Sequence, residues 1–161
     1  ETSDAAEWLA GPSARPGILT AIRPPYRDSG MTSNIRRWFA FHKVGRREAF
    51  VPSLVTVAID ASVGVDGTLA DIRIAAGGGQ MVPRRLTDAE ELLAGRFPDE
   101  GLLQRVYDAV LEQYVPAPDP FAADSYRKRT AANLIATELW KSLREPDGGR
   151  RGDGDASESI D

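Results

Sequence analysis

Apolar and polar residues alternate in the middle of the chain, and apolar residues recur at helical spacing in its second half. The stretch SLVTVAIDASV has an apolar side chain at every second position, with threonine, aspartate and serine between them. A period of two with β-branched residues predicts a half-buried strand. Its inward-facing residues are predicted to be Val55, Val57, Ile59, Ala61 and Val63.

A hairpin and a returning strand are predicted directly after this strand. Asp66-Gly67 is typical of a two-residue hairpin turn. The stretch LADIRIAAG then alternates again, with Asp71 and Arg73 directed outward. Its inward-facing residues are predicted to be Ile72, Ile74 and Ala76. After the glycine cluster, a short third strand is expected at 82–86, which makes an antiparallel sheet with one face at least partly open to solvent.

Three helices are predicted in the second half. In LTDAEELLAG, Thr87 and Glu90 have capping-box spacing and Gly95 stands at the expected stop. The second helix repeats apolar residues on one side, at Leu102, Leu103, Val106, Val110 and Tyr114. The third does so at Leu134, Ile135, Leu139 and Leu143. The predicted fold is α+β, a three-stranded antiparallel sheet packed against a C-terminal set of about three helices.

The two ends of the chain are predicted to lie outside this domain. The stretch PGILTAIRPPY indicates a short extended segment at 18–23, and RDSGMTSNIRR a polar loop with a turn at Ser29-Gly30. The glycine-, aspartate- and serine-rich residues 145–161 are predicted to be disordered. The chain begins at Glu1 without methionine or an apolar leader, which is compatible with a piece cut or processed out of a longer protein, with a natural short subunit as the alternative.

Composition excludes several classes of function. The net charge of −4 over 161 residues argues against a nucleic-acid binder, although arginines cluster locally. The absence of cysteine excludes disulfides, thiolate metal sites and a cysteine nucleophile. No apolar run approaches the ~20 residues of a membrane span. A cytoplasmic location is compatible with these features.

Three stretches invite chemical interpretations, and each has a structural alternative. His42 is the single histidine and has no serine or second histidine nearby, which favours a structural role over a triad or metal site. AAGGGQ lacks both phosphate-loop patterns, so a bend or close backbone approach is favoured over a wall for a partner. The basic run SYRKRTAANL is typical of the solvated side of an amphipathic helix, with an anionic partner as the alternative. The residues alone therefore predict a module that supports or binds something else.

The order of these stretches resembles one known domain. It is the C-terminal domain of the FAD-binding flavoprotein (medium) subunit of molybdenum hydroxylases, the xanthine dehydrogenase and carbon monoxide dehydrogenase family. The resemblance rests on the order of five stretches: PGILTAIRPPY, FAFHKVGRREAF, the alternating strands with their glycine cluster, RRLTDAEELLAG and DSYRKRTAANLI. The recurring marks are K-V-G-x-R, the glycine cluster, A-E-x-L-L-x-G and Y-R-x-x-x-A. The resemblance implies residues 1–26 as the tail of a preceding FAD-binding domain, 27–144 as this domain and 145–161 as the tail.

The resemblance also implies a role in electron transfer. In the family, FAD receives electrons from 2Fe-2S clusters, which receive them from a molybdopterin centre, both in partner subunits. Most of the FAD site lies in a preceding domain that this sequence does not contain, so we expect no tight FAD binding by this chain alone. The implied partners are that FAD-binding domain, the iron–sulfur subunit and the molybdopterin subunit. The alternative is a non-catalytic binding or scaffold module that keeps the fold without flavin.

Two residues are carried over from the family as flavin contacts, Leu19 in G-I-L-T and Lys43 in K-V-G. The lysine would either stabilise the anionic reduced flavin or donate a hydrogen bond that fixes the ring's orientation. Around it, Phe39 and Phe41 are expected to pack where the chain crosses from the flavin domain into this one. Arg46 and its neighbour Arg47 are expected to face solvent or a partner subunit.

Overall fold

The computed structural model describes residues 20–23, 35–46, 52–79, 81–117 and 119–144. Within the first of these ranges, residues 20–23 are exposed and form neither helix nor strand. The predictions for Leu19, for the loop up to residue 34 and for the tail from residue 145 lie outside the described residues. So does the side chain of Leu143 in the predicted third helix.

The described residues form a four-stranded antiparallel sheet in the order of the chain, which is one strand more than predicted. The strands are β1 (Ile35–Val44), β2 (Val55–Gly64), β3 (Leu69–Gly78) and β4 (Met81–Arg85). β4 lies within one residue of the predicted short strand. The additional strand is β1, and its first three residues belong to the stretch predicted as a polar loop.

The hydrophobic pattern of β1 explains why it was missed. On the inward side of β1, Trp38 and Val44 pack against the core and Ala40 is buried. The inward position between Ala40 and Val44, however, is His42. On the outward side, Phe39 is exposed although it is strongly apolar. Apolar side chains thus occur on both faces of β1, so the period of two is hidden in the sequence.

β2 and β3 form the hairpin that the sequence predicts. All five predicted inward residues of β2 are buried, as are Ile72, Ile74 and Ala76 of β3. The turn is closed by a hydrogen bond from Gly64 N to Thr68 O at 2.9 Å. A bulge interrupts the pairing after Asp60, and opposite it Asp71 has a φ of 48°, which aspartate tolerates better than most residues.

Three helices cover one face of the sheet, as predicted: α1 (Thr87–Leu93), α2 (Glu100–Gln113) and α3 (Asp124–Arg144). The stop of α1 at Gly95, with a φ of 69°, is confirmed. The five predicted apolar residues of α2 are all buried, and Asp99 caps its start by accepting from Leu102 N at 2.7 Å. No helix among the described residues is long and apolar enough to cross a membrane.

The predicted capping box of α1 is wrong. The N-cap position is Leu86, which has no side-chain cap. The Glu90 side chain is buried and accepts hydrogen bonds from Ile74 N and Arg85 Nε, both at 2.8 Å. A buried carboxylate requires donors and a countercharge, and β3 and β4 supply them, so Glu90 ties α1 to the sheet instead of capping its own helix.

Candidate functional site

Lys43 lies near the end of β1 on the sheet face that the helices leave uncovered. We call this face the open face; its β1 residues include Phe39, Phe41 and Lys43, opposite Asp60, Ala58 and Thr56 of β2. The Lys43 side chain is exposed, and it has no hydrogen bond or ion pair within the described part of the chain. Its ammonium group is therefore available to an acceptor that approaches from this side.

The chain around Lys43 is fixed by backbone hydrogen bonds between strand ends. Leu54 N donates to Val44 O at 2.7 Å, which joins the start of β2 to the end of β1. Gly79 N donates to Ser53 O at 2.6 Å, which joins the end of β3 to the same segment. We call this end of the sheet, together with the helix residue that contacts it, the lysine corner. It consists of Lys43, Val44, Leu54, Gly79 and Arg127.

Arg127 of α3 is the central side chain of the lysine corner. It is fully buried, donates from Nη1 to Leu54 O, and forms an ion pair through Nη2 with Asp119. Among the described residues its Nε has no partner. The prediction that the basic run is solvated holds for Arg129, which is exposed, and is wrong for Arg127. One guanidinium thus joins α3 to the start of β2 and to the loop that precedes α3.

Asp119 is held as a carboxylate by its surroundings. Its Oδ1 accepts from Phe121 N at 2.9 Å and from Ala122 N at 3.3 Å. These backbone hydrogen bonds, the one from Phe121 foremost, together with Arg127 lower the pKa of Asp119. Above the ring of Phe121 lies the guanidinium of Arg46, 5.5 Å from the ring centre. The loop is therefore attached both to α3 and to the chain that follows Lys43.

The glycine cluster serves close packing, which confirms the predicted close backbone approach. Gly79 has a φ of 64°, and a Cβ there would lie 2.7 Å from Asp119 Oδ2 and 2.9 Å from Arg127 Nη1. Gly78 has a φ of 123° and would meet the backbone of Leu54 at 2.5 Å. No helix begins at these glycines, and the amide of Gly79 already donates to Ser53. The phosphate-loop interpretation therefore finds no support.

His42 faces the helices, on the opposite side of β1 from Lys43. Its Nε2 lies 3.0 Å from Glu138 Oε1, which also accepts from Lys141 Nζ at 2.7 Å. No cluster of three potential metal ligands occurs among the described residues. The arrangement joins β1 to α3, which agrees with the structural role favoured from the sequence.

Comparison with protein families identifies the domain. The family model described as the CO dehydrogenase flavoprotein C-terminal domain matches residues 39–141, more than half of the chain. The chain belongs to this family. The match begins at Phe39 and includes Lys43, the glycine cluster and Arg127. None of the curated proteins compared with the chain matches it significantly.

Solved structures share the fold of this CO dehydrogenase flavoprotein C-terminal domain. They include CO dehydrogenase from Oligotropha carboxidovorans (17% identity, TM-score 0.59, 67% of this chain) and from Hydrogenophaga pseudoflava (22%, 0.57, 66%). Quinoline 2-oxidoreductase from Pseudomonas putida 86 is similar as well (21%, 0.57, 67%). The matched part makes up 37% of each of these solved chains.

The structure brings together three of the marks on which the family resemblance rests. K-V-G-x-R supplies Lys43 and Val44, the glycine cluster supplies Gly79, and Y-R-x-x-x-A supplies Arg127; all lie at the lysine corner. No local sequence pattern connects Arg127 with Leu54 or Asp119. The one signal is that a family mark contains an arginine in a helix otherwise buried through alanine, isoleucine and leucine.

Proposed function

We propose that this chain is the C-terminal domain of the FAD subunit of a cytoplasmic, xanthine dehydrogenase-like molybdenum hydroxylase. It completes the flavin site and docks the subunit to the iron–sulfur and molybdopterin subunits for electron transfer. The observation that carries the proposal is the family match over residues 39–141. The similar solved structures support the class of complex, since they include a Cu,Mo-CO dehydrogenase and a CO dehydrogenase that lacks the Mo-pyranopterin moiety of its molybdenum cofactor.

The residues of the lysine corner fit one edge of a flavin site but not a whole FAD site. Lys43 presents an exposed ammonium group on a strand whose end is fixed by Val44, Leu54 and Arg127. A fixed cation can donate to a carbonyl or ring nitrogen of a flavin. Within the described ranges, no glycine-rich loop leads into a helix that could hold a pyrophosphate. The proposed site is therefore shared with a preceding FAD-binding domain.

The proposed role of Lys43 is electrostatic and not catalytic. The flavin supplies the electron transfer when it is bound. Lys43 orients the ring by donating a hydrogen bond, and its charge lowers the free energy of a negative form of the ring relative to the neutral form. Leu19 is proposed as an apolar contact to the same ring, as the family resemblance implies.

A titration of flavin absorbance tests this proposal. The FAD-loaded flavin-binding domain of a related subunit, produced separately, is mixed with this chain and with its Lys43→Met and Lys43→Arg variants. We expect the wild-type chain to shift the flavin spectrum, Lys43→Arg to retain part of the shift, and Lys43→Met to lose most of it. Lys141→Met is the matched control, because Lys141 is exposed but belongs to α3 on the other side of the sheet.

Two outcomes contradict the proposal. If the wild-type chain binds the flavin-binding domain without any spectral change, the chain is a scaffold module and not part of the flavin site. If Lys43→Met and Lys141→Met both shift the spectrum as the wild type does, Lys43 does not contact the flavin.

A further inference from the structure

Both sequence neighbours of Lys43 are tied to helix α3. The preceding residue, His42, places its Nε2 3.0 Å from Oε1 of Glu138. The carbonyl of the following residue, Val44, accepts at 2.7 Å from the backbone amide of the residue that precedes β2. The carbonyl of that residue in turn accepts from Arg127. One helix therefore holds the backbone on each side of the lysine, while the lysine side chain lies on the other face of the sheet.

The strand that carries Lys43 is the one in the described sheet that most needs such a tie to α3. β1 is an edge strand, which pairs with β2 on one side and with no other strand among the described residues. Helix α3 also packs more extensively on β2 than on β1. The hydrophobic effect is non-directional, so apolar contacts hold β1 against the helices without fixing its exact position. A contact between two defined polar atoms supplies that restraint.

The acidic partner of His42 is itself held in place. The side chain of Glu138 is 12% exposed, and its Oε1 also accepts from Lys141 Nζ at 2.7 Å, one turn later in the same helix. A carboxylate that is mostly removed from water requires donors. Because a carboxylate has no hydrogen to donate, Nε2 of His42 is the ring nitrogen that carries one. The residue opposite His42 in β2 is the apolar Val57, so the polar partner comes from α3.

We infer that His42 is a positioning residue for Lys43. Its contact with Glu138 fixes the end of β1, and thereby the position from which the Lys43 ammonium group is presented. The effect on the flavin rests on the proposed function, whereas the tie between β1 and α3 does not. His42 faces the helices and does not contact the flavin. The family mark K-V-G-x-R begins at Lys43, so the resemblance assigns no such role to His42.

Hydrogen exchange of the full chain tests the tie without any flavin, at the backbone amides of the end of β1. In His42→Leu the apolar side chain suits the inward position but has no polar atom, whereas in His42→Gln an amide N–H remains for Glu138. We expect exchange roughly two- to tenfold faster in His42→Leu, as for one lost polar contact, and close to the wild-type rate in His42→Gln. Val106→Ala is the control, because Val106 is buried in α2 and its loss lowers overall stability without changing the local opening of β1.

The flavin titration then tests whether the tie acts through Lys43. With the FAD-loaded flavin-binding domain, we expect His42→Leu to lose part of the wild-type spectral shift, and His42→Gln and Val106→Ala to keep it. In a Lys43→Met background, His42→Leu should cause no further change. An effect that is transmitted through the lysine ammonium group disappears once that group is absent.

Three results overturn the inference. The first is exchange at the end of β1 that is the same in His42→Leu as in the wild type, or accelerated equally in Val106→Ala. The second is an effect of His42→Leu on the spectrum that persists in full in the Lys43→Met background, since His42 then acts independently of Lys43. The third is a spectral shift that Lys43→Met abolishes and His42→Leu retains, which leaves the flavin role of Lys43 intact.

The proposed function fails on a different result. If the spectrum is the same for the wild type and for Lys43→Met, while exchange at the end of β1 is faster in His42→Leu and not in Val106→Ala, the tie between β1 and α3 is supported. The flavin role of Lys43 is then wrong.

Discussion

The guanidinium of Arg127 joins three parts of the chain, so replacing it tests how the lysine corner is built. Arg127→Met keeps much of the buried volume but removes the donor to Leu54 O and the countercharge of Asp119. Breaking a buried ion pair by removing one partner costs about 3–5 kcal/mol, because the other charge stays buried. The free energy of unfolding of a domain is about 5–15 kcal/mol in total, so this variant should be severely destabilised.

Urea denaturation of the full chain, followed by far-UV circular dichroism, measures this cost. Arg129→Met is the control, since Arg129 belongs to the same basic run but is exposed; we expect a change within about 0.5 kcal/mol. Adding Asp119→Asn to Arg127→Met should recover part of the loss, because the unpaired carboxylate is removed while the side-chain oxygen that accepts from Phe121 N is kept. A loss below about 1 kcal/mol for Arg127→Met would refute the reasoning.

Two further variants examine the packing beside this pair. Gly79→Ala should cost roughly 2 kcal/mol or more in urea denaturation, because its φ is positive and its Cβ would clash with Asp119. Gly95→Ala, with a similar φ but no atom within 4 Å, should cost only about 1 kcal/mol, and equal losses would contradict the steric argument. Tyr114→Phe should cost about 1–2 kcal/mol, because the hydroxyl donates to Gly77 O at 3.0 Å. Burial raises the pKa of Tyr114, so the stability that its neutral hydroxyl contributes is complete below about pH 10. As the pH rises further, the tyrosine of the unfolded chain ionises first and this stability is lost. The wild type should therefore lose stability faster than Tyr114→Phe above this pH, and parallel pH profiles would contradict the reasoning.

The regular elements were predictable wherever one face is buried throughout. β2 alternates strictly because every inward residue from Val55 to Val63 lies in the core. α2 was equally predictable, since every residue of its apolar stripe, up to Tyr114 at its end, is buried. β1 was not predictable in this way, because His42 interrupts its inward row and Phe39 belongs to its outward row.

The candidate site depended on contacts that local patterns do not encode. Lys43 was selected by family resemblance, and the structure adds that it is exposed on the open face. The role of Arg127 could not be predicted, because its acceptor, Leu54 O, lies 73 residues away and is a backbone atom. Glu90 was misassigned for the same reason: the capping spacing is local, whereas its partner Ile74 N belongs to the sheet.

We propose that Lys43 lies against the flavin of the assembled subunit, and the midpoint potential of that flavin tests this proposal most directly. A charge-assisted hydrogen bond worth about 1.5–3 kcal/mol to the reduced ring corresponds to roughly 30–60 mV for a two-electron couple. Lys43→Met should therefore lower the potential by about this amount, while Lys141→Met leaves it unchanged. A potential that is the same in the wild type and in Lys43→Met would contradict the account.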